Sequence, residues 1–115
     1  MPIERLGWLL IAVAILVAII VGGAVPIPPG WDKGAHFAVF SALTFALWHA
    51  TAGEMPVVVV AAVVAFGAVD EWRQAYLPGR FSDGSDFLAN LAAALATAAL
   101  LFMQRKTVCA ESSPR

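Results

Sequence analysis

From Leu6 to Val25 the chain runs about 20 residues without a charged side chain, roughly the length of helix that crosses 30 Å of hydrocarbon. A cleaved secretory signal is the competing explanation, because Arg5 precedes the run and Gly22-Gly23-Ala24 is rich in small residues. The run is longer than a usual signal core, and Pro26 stands where cleavage would fall. It therefore reads as a retained membrane span. Composition extends this to the whole chain: 61% of residues are hydrophobic and only 13% charged, against roughly 45–50% and about a quarter in soluble domains. A chain of 115 residues makes one compact unit and needs a polar coat that this one lacks. The same composition excludes disorder, and a single cysteine, Cys109, excludes a disulfide framework. A net charge of −1 offers no electrostatic footprint for nucleic acid.

Three further apolar segments follow. Pro26-Ile-Pro-Pro-Gly-Trp31 cannot be helical and serves as a linker. A second span runs from about Ala35 to Ala52 and ends at Gly53, a C′ glycine, with Pro56 fitting the first turn of the third helix. This short link predicts an antiparallel hairpin of spans two and three. Span three runs from Met55 to Val69, turns polar at Asp70-Glu71 and breaks at Leu77-Pro78-Gly79. Span four, capped by Ser82 or Ser85, extends from Asp86 to Met103 and stops at Gln104-Arg105-Lys106. Its many alanines suit close helix approach. The expectation is an all-α, four-transmembrane-helix bundle over residues 1–106, with 107–115 as a short, polar, unstructured tail. Strands are excluded by the lack of period-two alternation and by the cost of open sheet edges in lipid. Arg5, Arg105, Lys106 and Arg115 lie with the termini, and Lys33, Arg73 and Arg80 opposite, a bias that places both termini in the cytoplasm.

More than half of the charged side chains gather in two loops and their helix ends: Asp32, Lys33, Asp70, Glu71, Arg73, Arg80, Asp83 and Asp86. In a four-span chain both loops lie on one side. Asp32 and Lys33 precede His36 by four and three residues, and Asp70 and Glu71 stand likewise before Gln74, so each trio shares a helix face. Asp86 and Asn90 are one turn apart. Asp70 and Glu71 fall near the hydrocarbon boundary, where ionisable groups need partners, and Arg80, Lys33 and Arg73 are the available ones. A purely structural account weighs equally: Asp32 and Ser82 as caps, Arg80 paired with a carboxylate, three helix ends locked together. Trp31, Trp72 and Tyr76 read as interfacial anchors on this side, and Trp8, Trp48 and His49 on the other. Cys109 has no neighbouring cysteine or histidine and reads as an ordinary tail thiol.

Two motifs resemble the VanZ-like family of small bacterial membrane proteins. Asp32-Lys33-Gly-Ala-His36-Phe37-Ala-Val-Phe40 is similar to the family's DKxxHFxxF pattern. Asp70-Glu71-Trp-Arg-Gln74, followed by Pro78-Gly79-Arg80, Ser82, Asp86 and Asn90, is similar to its DExxQ…PGR…S…D…N pattern. The match covers spans two to four, about residues 31–104. It departs one turn after the asparagine, where family members often carry glycine and this chain has Ala93 and Ala94. The resemblance implies a multi-pass protein of the bacterial cytoplasmic membrane, in a family named for low-level resistance to the glycopeptide teicoplanin. It implies no established molecular activity.

Three functional readings follow. In the first, an outward polar pocket of Asp32, Lys33, His36, Asp70, Glu71, Gln74, Arg80, Ser82, Asp86 and Asn90 binds an anionic envelope lipid or antibiotic-related ligand. Lys33 and Arg80 hold the anion, and no cofactor is required. In the second, the chain is an enzyme acting on lipid-linked phosphate, with His36 or Glu71 as general base and Arg80 stabilising charge. A divalent metal on His36, Asp70, Glu71 and Asp86 belongs to that reading alone. In the third, the chain is a structural subunit docking a larger complex.

Overall fold

A computed structural model of the protein describes residues 3–22, 31–76 and 84–112; at 22, 32, 33, 74, 84–86 and 106–112 it describes the backbone alone. Among the described residues the fold is all α, with four helices: α1 (Ile3–Gly22), α2 (Asp32–Ala50), α3 (Pro56–Gln74) and α4 (Gly84–Ser112). Two of them, α1 and α4, contain stretches long and apolar enough to cross a membrane, Ile3–Val21 and Phe87–Arg105. The other two have 19 residues each and carry more polar side chains. α2 holds His36, Ser41, Thr44 and His49, and α3 ends on Asp70, Glu71 and Arg73.

The α2–α3 link is built from backbone hydrogen bonds. Ala52 donates its N–H to the His49 carbonyl at 3.1 Å, and Gly53 donates to that of Trp48 at 2.9 Å. This pair of bonds is a Schellman ending, with Thr51 as C-cap. The left-handed conformation expected only at Gly53 (φ 69°) is also taken by Ala52 (φ 56°). Glycine is also needed at 53 for space, since a Cβ there would stand 3.0 Å from Nε1 of Trp48. Pro56 opens α3 as expected, where its missing N–H costs nothing.

Three expected details differ. The N-cap of α2 is Trp31, without a side-chain cap bond, so Asp32 is the first helical residue rather than a cap. α4 begins at Gly84, which puts Ser85 inside the first turn and rules it out as the cap; Ser82 lies outside the described residues. α4 also continues to Ser112 rather than stopping at Lys106. Thr107 to Ser112 contains neither proline nor glycine, so nothing in the sequence ends the helix there.

Each helix turns one stripe inward. On α3 the stripe is Val59, Val63, Gly67 and Asp70; on α4 it is Asn90, Ala93, Ala94 and Leu101, all buried. Both follow the three- and four-residue spacing of a helix face. α2 is the central element and is buried at Phe40, Leu43, Thr44, Ala46, Trp48 and Ala50. It packs most extensively on α4, then on α1, and least on α3. The α2–α3 hairpin is thus splayed, because the small side chains Ala46, Ala93 and Ala94 favour the α2–α4 pair. α1 lies against α2 through Trp8, Ala12, Ile15, Leu16 and Ile19. Thr44 donates its hydroxyl proton to the Phe40 carbonyl at 2.8 Å, so this buried polar side chain is satisfied within its own helix.

Arginines from the first and last helices close one end. Arg5 donates from Nε to the Ala50 carbonyl at 2.9 Å, and Arg105 donates from Nη1 to the Gly53 carbonyl. The start of α1, the end of α2 and the C-terminal part of α4 therefore share this end. The aromatic residues here are packed rather than displayed: Trp48 is buried. Trp8 stacks on His49 with ring centroids 4.9 Å apart, and Phe45 flanks the same ring at 4.4 Å. The expectation of an interfacial anchor is corrected for Trp48, which is buried beside Gly53, whereas half-buried Trp8 and His49 stack across the seam between α1 and α2.

Candidate functional site

The opposite end collects the polar residues of α2, α3 and α4. His36 lies in the second turn of α2, Asp70 and Glu71 in the last turns of α3, and Asn90 in the second turn of α4. Nδ1 of His36 donates to Oδ1 of Asn90 across a 3.1 Å contact that joins α2 to α4. An amide oxygen only accepts, so this bond requires the proton on Nδ1. The ring of His36 lies nearly parallel to that of Phe40, with centroids 6.1 Å apart and 9° between planes. Asn90 is buried, and its Nδ2 has no hydrogen-bond partner among the described residues.

α3 reaches the same point through glycine. A Cβ on Gly67 would stand 3.2 Å from Nδ2 of Asn90 and 3.4 Å from the Phe40 ring. The absence of a side chain at 67 is what lets α3 close over the His36–Asn90 pair. One turn further, Asp70 is 3% exposed and accepts from Nη2 of Arg73 at 2.6 Å. A buried carboxylate needs such a partner, and α3 supplies one from its own next turn. Glu71 beside it is half-buried.

His36, Asp70, Glu71 and Asn90 are therefore brought to one end. Asp32, Lys33, Gln74 and Asp86 stand at this end by backbone position, in the first turn of α2, at the end of α3 and in the first turn of α4. Arg80 lies outside the described residues, as Ser82 does. Two residues join the site that the motif reading left out. Arg73 had entered only as a possible partner for Asp70, and its i, i+3 spacing was the available signal. Gly67, a glycine inside an apolar helix, marks close approach by a neighbour. Among the described residues no three His, Cys, Asp or Glu side chains gather as a metal-binding group, and His36, Asp70 and Glu71 do not form one.

Trp31, Trp72 and Tyr76 are exposed around this end, and Trp72 meets Tyr76 edge to face at 5.6 Å. Comparison with protein-family models, with curated proteins and with solved structures returns no match.

Proposed function

We propose that the chain is a four-span protein of the bacterial cytoplasmic membrane, VanZ-like in its motifs, whose outward polar end binds an anionic envelope ligand. The observation that carries this reading is the meeting of His36, Asn90 and the Asp70–Arg73 pair at one end of otherwise apolar helices. All four helices carry large apolar side chains on their outer faces: Leu10 and Val17 on α1, Phe37 and Phe45 on α2, Val57 and Val58 on α3, and Leu95 and Leu100 on α4. Water would penalise such a surface; hydrocarbon accepts it, which supports spans at α2 and α3 as well. Exposed Trp31, Trp72 and Tyr76 suit the headgroup level, and the charges of Arg5, Arg105 and Lys106 favour cytoplasmic termini.

Arg73 pairs with Asp70 from its own helix. Arg80 and Lys33 then serve as the cations for the ligand, with the carboxylates and His36 setting its shape. Arg80→Gln should keep the wild-type melting temperature in detergent while abolishing the envelope phenotype, assayed as teicoplanin sensitivity. Adding Glu71→Gln should not rescue it. Loss of folded protein in Arg80→Gln, reversed in the double variant, would return the cluster to a structural role.

A further inference from the structure

At the terminal end of the helices, far from the polar site, we infer a second site: Arg5 and Arg105 bind the phosphate of an anionic phospholipid. The two guanidinium groups come from the first and last helices and reach carbonyls three residues apart, those of Ala50 and Gly53, in one turn. That turn is held by its own Schellman bonds, so both arginines are anchored on a rigid support. Among the described residues neither has a carboxylate within ion-pair distance. Each gives one N–H to a carbonyl, and a guanidinium carries five. Among the described residues the remaining donors of both meet no further acceptor.

The position selects the partner. Arg5 precedes the apolar stretch of α1, and Arg105 closes that of α4, so both sit at the level where phospholipid phosphates lie. Trp8, one turn after Arg5, is packed against His49 and Phe45, which fixes α1 here. A phosphate oxygen pair matches the guanidinium fork, and an anionic leaflet concentrates such groups. The inference rests on the membrane part of the proposed function and not on its polar pocket.

The test is native mass spectrometry of the full chain in detergent, titrated with phosphatidylglycerol, phosphatidylcholine or inorganic phosphate. Wild type should retain one phosphatidylglycerol that phosphatidylcholine does not replace. Arg5→Gln with Arg105→Gln keeps a donor for each carbonyl and should weaken that binding roughly 30-fold. Trp72→Phe, an exposed change at the opposite end, should leave it unchanged. Displacement of the lipid by inorganic phosphate at equal concentration would identify a free-anion site instead and overturn the lipid assignment. Equal retention of both lipids by wild type, or full retention by the double variant, would also overturn it. If the double variant fails to fold, Arg5→Lys with Arg105→Lys keeps charge without the fork; unchanged binding there would refute the bidentate role.

Discussion

At Ala52 a side chain occupies a backbone conformation that glycine adopts freely. Its φ of 56° places it in the left-handed region, which costs an L-residue about 1–2 kcal/mol. The methyl group is exposed, so removing it forfeits no packing. Ala52→Gly should therefore raise stability by about 1 kcal/mol, read as a higher melting temperature in detergent. A fall would mean that the left-handed assignment at this position is wrong. The same turn shows what single residues disclosed. Pro56 and Gly53 announced the link between α2 and α3, because their backbone limits are local and fixed. That Ala52 would share the strain could not be read, since alanine carries no such signal. Nor could the fate of Trp48: a tryptophan near a helix end serves an interface or a core equally well, and only the tertiary neighbour, here Gly53 above its indole, decides. Arg73 was legible as a partner because i, i+3 geometry is set within one helix.

Among the elements, the informative contact is α3 against α2 and α4 at Gly67. Glycine inside a helix costs about 1 kcal/mol relative to alanine, yet here it admits the Asn90 amide and the edge of Phe40. Gly67→Ala should destabilise by about 1 kcal/mol, as the clash with Asn90 outweighs the gain in helix propensity. In an Asn90→Ala background the same change should become stabilising by a similar amount, because only the propensity term survives. Thermal unfolding of the four proteins in this cycle checks the sign; equal effects in both backgrounds would remove Gly67 from the site. Apolar run length gave four helices, with ends displaced by a few residues. It could not say which helices pack together. The short link between α2 and α3 implied a tight pair, whereas the alanines of α4 draw α2 more closely. Chain proximity and packing preference are separate quantities.

Across the whole molecule, two ends of different chemistry are joined by helices with apolar outer faces. One end ties the chain's first and last helices to the α2–α3 turn through arginine and backbone. The other holds histidine, asparagine and a partly buried ion pair. The central claim is that α2, α3 and α4 meet at this second end while the protein lies in a membrane. Short-span cysteine cross-linking in carbonate-washed membranes tests it directly. His36→Cys paired with Asn90→Cys should join within one chain, since the native side chains are in hydrogen-bond contact. His49→Cys paired with Asn90→Cys should not, because 13 residues of α2 separate the two histidines, roughly 20 Å of helix. Cross-linking of the second pair as efficiently as the first, or recovery of the protein in the carbonate-soluble fraction, would contradict the account.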